Sequence, residues 1–146
     1  MRTIYEQEHN RLDETNVVPV LEEHLKGQAI KLPPLYFADF AMVGNDGNIL
    51  SFVEFKKRNM KFGQYPTIML SSSKWLRLKS VELLRQRALF VVQCIDGVWA
   101  VDLTRPDLKF DLVYGGRTKQ TRDNADVEPC LMIPISQFRL LHSHDK

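Results

Sequence analysis

The sequence predicts an α/β domain in which helices flank a mixed central β-sheet. A stretch near the N-terminus repeats apolar residues at helical spacing. Two Asp-Gly dipeptides, at positions 46–47 and 96–97, separate strand-like segments and are typical of tight hairpin turns. Between them, residues 88–95 form a continuous apolar run, as expected of a strand that is buried on both faces. A chain of 146 residues that is 44% hydrophobic can bury its own core, and we expect one domain over residues 1–146.

The first helix is expected over residues 10–26, with Gly27 as its stop signal. Its apolar residues recur at intervals of three and four positions: Val17, Val18, Leu21 and Leu25. Pro19 disturbs this pattern and predicts either a kink or a shorter helix that starts near Asn16. Glu14 lies within the apolar stripe, where a carboxylate needs a partner. Glu14 is therefore either a functional acid that faces the core or a structural acid at a fraying helix start.

Residues 37–58 predict two strands joined by the first Asp-Gly turn, and the rest of the chain is organised around them. If that dipeptide forms the loop, Asp39 on the first strand lies directly opposite Glu54 on the second. The same register pairs Ala41 with Phe52, Val43 with Leu50, and Asn45 with Asn48. Because strand side chains alternate between faces, Lys56 lies on the same face as Glu54, and Lys57 points away.

Two carboxylates paired in this way would lie about 4.5–5.5 Å apart at their Cβ atoms. Among apolar neighbours they repel each other and lose hydration, so one of them protonates or a cation lies between them. A divalent metal with oxygen ligands satisfies both acids, and Lys56 would lie beside it. In the alternative interpretation, Asp39 and Glu54 each form salt bridges with nearby cations, Lys56 among them.

The remaining elements are expected in the order strand, helix, strand and hairpin. Strands are expected at residues 29–32, 67–70, 88–95 and 98–103, with an edge strand at 110–114. A helix capped by the serines at 71–73 should extend to about Gln86. The other segments are a polar loop at 115–128, a segment that packs back at 131–138, and a tail at 142–146.

Composition excludes several classes of protein. No apolar run approaches the roughly 18–20 residues of a membrane span, and the polar N-terminus has no signal-peptide core, so we expect a cytoplasmic protein without membrane contact. Cys94 and Cys130 have no metal-type spacing and are expected to be reduced thiols. The net charge of +2 is uninformative, but basic residues cluster at 56–61 and 117–122. Such clusters suit a polyanion or form an ordinary solvated surface.

Asp39, followed after a short hairpin by Glu54-Phe55-Lys56, resembles the motif of the PD-(D/E)xK nuclease superfamily. The resemblance covers roughly residues 11–103 and implies a restriction-endonuclease-like core of helix, hairpin, strand, helix and strand. The chain departs from the motif at Ala38, where the superfamily has a proline that shapes the backbone.

A second resemblance is to small phage and prophage nucleases, including the Holliday-junction-resolvase-like type. It is carried by Tyr5-Glu6, Leu32-Pro33, Tyr65-Pro66-Thr67, Tyr114-Gly115-Gly116-Arg117, Glu128-Pro129 and Ile133-Pro134. This resemblance implies a bacterial host cell or prophage context.

These resemblances imply a site for Mg²⁺ (or Mn²⁺) formed by Asp39, Glu54 and the backbone carbonyl of Phe55, supported by Glu14. Lys56 would position the attacking water and offset charge on the phosphorus. The implied nucleic-acid contacts are Arg58, Lys61, Lys74, Arg117, Lys119 and Arg122, with Gln64 as a weaker candidate.

The function expected from these residues is that of a Mg²⁺-dependent DNA endonuclease. The alternative is a phage-encoded, non-catalytic module that binds nucleic acid or protein on the same fold. Hydrolysis of a small phosphate ester is a weaker candidate, because the sequence has no Gly-rich phosphate loop. A homodimer is expected if the substrate is a four-way junction, because two symmetric cuts need two sites.

Overall fold

The computed structural model describes residues 4–114 and 128–144, with side chains from residue 14 onward in the first helix. The described part contains two α-helices, α1 (Ile4–His24) and α2 (Ser72–Lys79), the second continued by a 3₁₀ turn (Ser80–Leu84). It also contains nine strands: β1 (Gln28–Lys31), β2 (Phe40–Val43), β3 (Ile49–Lys57), β4 (Thr67–Ser71), β5 (Ala88–Cys94), β6 (Gly97–Asp102), β7 (Asp111–Tyr114), β8 (Pro129–Pro134) and β9 (Arg139–Ser143). No helix among these residues is both long and apolar enough to span a membrane.

Six strands form a mixed sheet in the order β1-β2-β3-β5-β6-β9. Strands β3 and β5 are parallel, and the other neighbours are antiparallel. A parallel pair needs a crossover connection. Here that crossover contains β4 and α2, and β4 belongs to a second, antiparallel sheet in the order β4-β8-β7. The mixed α/β sheet confirms the predicted fold class, while the second sheet was not predicted.

The two faces of the main sheet carry separate cores, which follow from the alternation of side chains along β2 and β3. Val53 of β3 packs with Phe40 of β2 and with Val17 and Leu21 of α1 on one face. On the other face, the side chains that pack together with β4, α2 and β8 include Ala41, Phe52, Ile68, Leu78, Phe90 and Leu131. Glu54 belongs to this second face, because it is two residues beyond Phe52 on β3.

Several predicted boundaries need correction. Helix α1 begins before residue 10 and passes through Pro19, ending at His24. The α-helical part of the second helix ends at Lys79 rather than near Gln86. The predicted C-terminal tail at 142–146 is wrong in part, because its first two residues, His142 and Ser143, belong to β9. Strand β7 is an edge strand, as predicted for residues 110–114.

The turn of the central hairpin differs from the predicted two-residue loop. The N–H of Gly44 donates to the carbonyl of Asn48 at 2.9 Å, and the N–H of Gly47 donates to the carbonyl of Gly44 at 3.0 Å. Three residues, 45–47, therefore form the loop, and Gly47 adopts a φ of 84°. A three-residue hairpin with glycine in the left-handed region is a common alternative to the two-residue turn.

A register shift compensates for this longer loop. Val43 pairs with Ile49 instead of Leu50, and the shift between Met42 and Val43 leaves Leu50 as the extra residue. Beyond the shift, the pairing of Ala41 with Phe52 is the predicted one. The register near the acidic residues is thus confirmed up to Phe40–Val53, although the turn that was expected to produce it is not present.

Candidate functional site

After β1, the chain returns to the main sheet at Asp39, immediately before β2. The N–H of Asp39 donates to the carbonyl of Val53 at 2.9 Å, and Val53 is also the ladder partner of Phe40. Asp39 and Phe40 thus both lie opposite Val53 of β3, an arrangement typical of a β-bulge. The predicted regular pair between Asp39 and Glu54 is therefore not retained, because the ladder ends one residue earlier.

The Asp39 side chain adds a hydrogen bond to β3 beyond the point where the backbone ladder ends. Its Oδ2 accepts a hydrogen bond from the backbone N–H of Phe55 at 2.7 Å. In a β-strand the N–H and C=O of one residue face the same neighbouring strand. The Phe55 carbonyl therefore points toward the edge of β3 where the Asp39 carboxylate lies. One carboxylate and one carbonyl oxygen converge at this edge.

Glu54 is the most deeply buried acid of the site, with only 3% of its surface exposed. Burial and the nearby Asp39 carboxylate raise the pKa of Glu54 to about 7, against the opposing effects of Lys74 and Lys56. The Nζ of Lys74 lies 3.5 Å from Oε2 of Glu54. Glu54 thus changes its charge near neutral pH, and its ionised form depends on nearby cations.

Glu14 faces the site from α1 and forms a salt bridge with Lys31, a residue outside the predicted site. The Nζ of Lys31 lies 3.0 Å from Oε1 of Glu14 and 3.9 Å from Oδ1 of Asp39. Burial and the Asp39 carboxylate raise the pKa of Glu14, while Lys31 lowers it. Glu22 is engaged elsewhere, since its Oε2 accepts the N–H of Ala29 at 2.8 Å. Among the side chains of α1 that the structure describes, Glu14 is the acid that interacts with Asp39.

Lys31 could have been noticed as the one charged residue in the otherwise apolar segment 29–32. The position of Lys31 beside the acids could not be predicted, because it depends on the pairing of β1 with β2, in which Lys31 lies opposite Phe40. This pairing joins residues on either side of a Pro-Pro connector, and no local turn motif specifies its register.

The predicted basic residues have different surroundings. Lys56 is half-buried on the same face as Glu54, and Lys74 points at Glu54 from the first turns of α2. Arg58 joins two strands, since its N–H donates to the Gln93 carbonyl at 2.8 Å and its Nη2 to the Met69 carbonyl at 3.3 Å. Lys61 is exposed. Three predicted contacts lie outside the described residues: Arg117, Lys119 and Arg122.

The donor set suits a hard divalent cation, because it consists of carboxylate and carbonyl oxygens with no sulfur or imidazole. Burial and, after it, repulsion by Asp39 raise the pKa of Glu54, and such a cation would offset both effects. Within residues 14–114 and 128–144, no three His, Cys, Asp or Glu side chains are grouped closely enough to hold a metal. Asp39, Glu54 and the Phe55 carbonyl offer oxygen donors of the kind that would fit such a cation.

The mixed sheet, its parallel β3–β5 pair, and the acidic hairpin between α1 and α2 define the restriction-endonuclease-like α/β fold. Residues 1–141 match the model of the family described as "Phage putative PDDEXK endonuclease", and the chain belongs to this family. The family confirms the resemblance to PD-(D/E)xK phage nucleases. No curated protein and no solved structure matches the chain.

Proposed function

We propose that this protein is a divalent-metal-dependent endonuclease that hydrolyses DNA phosphodiester bonds. The observation that carries the proposal is the fixed carboxylate of Asp39, held by the Phe55 N–H next to the buried Glu54. Two acids kept this close cost stability unless they serve a cation. Membership of an endonuclease family supports the same conclusion.

Asp39, Glu54 and the Phe55 carbonyl would hold Mg²⁺ or Mn²⁺. When bound, the metal would polarise the scissile phosphate and lower the pKa of a water molecule. Glu54 binds in its ionised form, so its proton must leave near pH 7. The ammonium groups of Lys74 and Lys56 favour that ionisation, because both lower the pKa of Glu54.

Lys56 would have the second chemical role. Its position two residues after Glu54 on the same face of β3 directs its side chain to the same side of the sheet. There its ammonium would orient the attacking water and stabilise negative charge that develops on the phosphate oxygens. Lys74 would favour the ionised form of Glu54, whose Oε2 lies 3.5 Å from the Lys74 Nζ, rather than contact the phosphate.

Binding of the DNA backbone would come from basic residues around the site. Lys61 is exposed near the end of β3, and Arg117, Lys119 and Arg122 remain predicted contacts. The Arg58 guanidinium donates to the Met69 carbonyl, so we propose that it mainly supports the connection between β3 and β4. Phosphate contacts of this kind give affinity without sequence specificity and weaken with salt.

The test is a cleavage assay on linear, nicked, single-stranded and branched DNA with Mg²⁺ or Mn²⁺. The wild type should cut at least one substrate, and EDTA should stop the reaction. Asp39→Asn and Lys56→Ala should lose cleavage, whereas the matched control Lys57→Ala should retain it, because the Lys57 side chain is exposed and lies on the opposite face of β3. The proposal fails if no substrate is cut, or if the first two variants cut as well as the control.

One observation favours the alternative of a non-catalytic binding module. All three acids of the candidate site already have a lysine nearby, since Lys31 lies beside Glu14 and Asp39, and Lys74 lies beside Glu54. DNA binding that is unchanged by EDTA and is not followed by cleavage would support this alternative.

A further inference from the structure

We propose that Lys31 is a built-in cation that engages Glu14 and keeps it out of the metal site, so that the protein binds one divalent ion rather than two. The inference rests on the proposed function, because it concerns the number of metal ions at the proposed site. Lys31 would be a positioning residue: it touches the acids and neither the metal nor the DNA.

Three contacts define the position of the Lys31 ammonium. Nζ lies 3.0 Å from Glu14 Oε1 and 3.9 Å from Asp39 Oδ1. It also lies 3.4 Å from the backbone carbonyl of Asp39, to which it donates. The ammonium thus lies between α1 and the start of β2, in contact with both acids that would hold a second metal.

This position is fixed by the sheet. Lys31 is the last residue of β1 and pairs with Phe40, the first residue of β2. Its Nζ lies 5.6 Å from the centre of the Phe40 ring, a distance at which a cation is attracted to the ring face. The ammonium is therefore guided to Glu14 and Asp39 by the β1–β2 pairing.

Space alone would not keep a cation away from Glu14. A cleft of about 350 Å³ opens beside Glu14, Lys31 and Phe40, and it is large enough for a hydrated ion. What opposes a second cation is charge, because Lys31 already compensates Glu14 and would repel a divalent ion nearby. Without the ammonium, Glu14 and Asp39 would be two half-buried carboxylates without this cation, and Glu14 would still line the open cleft.

The test is titration calorimetry with Mn²⁺ at pH 8 on the metal-free full-length protein. Lys31→Met and Lys31→Gln remove the charge, Lys31→Arg keeps it, and Lys26→Met removes an exposed lysine near the same connection. The wild type, Lys31→Arg and Lys26→Met should bind one Mn²⁺ per chain. Lys31→Met and Lys31→Gln should bind a second one, and adding Glu14→Gln to either should restore a stoichiometry of one.

A second measurement does not depend on metal. In EDTA, Lys31→Met should unfold at a lower temperature than Lys26→Met, because Glu14 and Asp39 then repel each other, and Glu14→Gln should reverse this loss. The proposal is overturned if the wild type binds two Mn²⁺, or if the charge-removing variants still bind one. If the wild type binds no Mn²⁺, both this inference and the proposed metal-dependent function fail. If the wild type binds one Mn²⁺ and the stoichiometry is unchanged in the Lys31 variants, only this inference fails.

Discussion

The Asp39 carboxylate accepts a hydrogen bond from the backbone N–H of Phe55 at 2.7 Å, just beyond the end of the β2–β3 ladder. A side chain thus takes the place of a backbone acceptor at the point where the chain joins β2. This bond fixes the orientation of the carboxylate and leaves its remaining lone pairs available. The same bond also explains how Asp39 stays close to Glu54 without a regular cross-strand pair.

We expect Asp39→Asn to abolish metal binding while keeping the fold. The asparagine Oδ1 can still accept the Phe55 N–H, but the negative charge that attracts a divalent ion is lost. The cleavage rate should fall by about 100-fold or more, and the thermal midpoint in EDTA should change little. The control is Asp111→Asn, an exposed aspartate on β7, which should cut normally. Equal Mn²⁺ affinity in the two variants would contradict this role for Asp39.

We expect the metal-free protein to lose stability as the pH rises from about 4.5 to 7. In this range the unfolded Glu54 carboxyl has released its proton, whereas the folded one retains it because its pKa is raised to about 7. The unfolded state then binds fewer protons, so the free energy of unfolding decreases with pH, by at most about 3 kcal/mol for this group. Urea denaturation in EDTA at pH 5 and pH 8 measures this difference.

Glu54→Gln is the matched variant for that experiment, because it resembles the protonated acid in shape and cannot ionise. Its decrease in stability between pH 5 and pH 8 should be smaller than that of the wild type. Its cleavage activity should be lost at every pH. An identical pH dependence in the two proteins would rule out Glu54 as the group with the raised pKa.

We expect Lys74→Met to shift the pH dependence of cleavage upward, by roughly half to one pH unit. The Lys74 ammonium lies 3.5 Å from Glu54 and lowers its pKa, so its removal makes ionisation of Glu54 harder. Activity at pH 9 should therefore recover toward that of the wild type, whereas activity at pH 7 should not. Lys79→Met, on the same helix but paired with Glu82, serves as the control. A uniform loss of activity at all pH values would instead indicate a direct contact of Lys74 with DNA.

We expect Gly27→Ala to destabilise the protein by more than 2 kcal/mol, on the order of the combined cost of strain and overpacking. Gly27 has a φ of 96°, and an added Cβ would lie 2.7 Å from the backbone carbonyl oxygen of Val43. Gly47→Ala separates the two causes, because Gly47 also has a positive φ, 84°, but nothing lies within 4 Å of the added Cβ. That variant should lose only about 1–2 kcal/mol. Equal losses in chemical denaturation would show that close packing of the α1–β1 connection against β2 is unimportant.

The central hairpin shows which structural features the local sequence can predict. The alternation of residues 50–56 and the nearby Asp-Gly dipeptide predict a hairpin with Ala41 opposite Phe52, and this pair is present. The predicted turn is nevertheless wrong, because a three-residue loop and a register shift produce the same alignment. Both faces of β3 are buried, and a slip of one residue would exchange Phe52 and Val53 between the two cores, so the packing of both faces favours that alignment.

Other features depend on contacts between distant residues. The second sheet joins β4 to β8, segments separated by more than fifty positions, and neither contains a turn signal that points to the other. Helix α1 continues through Pro19 because Val17 and Leu21 are fully buried against the sheet, which offsets the local cost of the proline.

The sequence by itself determined the class of fold, the acidic hairpin and the candidate acids Glu14, Asp39 and Glu54, because these follow from alternation, helical spacing and residue chemistry. Only the tertiary structure decided which groups contact each acid. Asp39 binds the Phe55 N–H, Glu54 is buried beside Lys74, and Glu14 faces Lys31. These partners come from different elements, and strand pairing and the packing of α1 and α2 bring them together. The charge balance of the site is therefore a property of the folded protein.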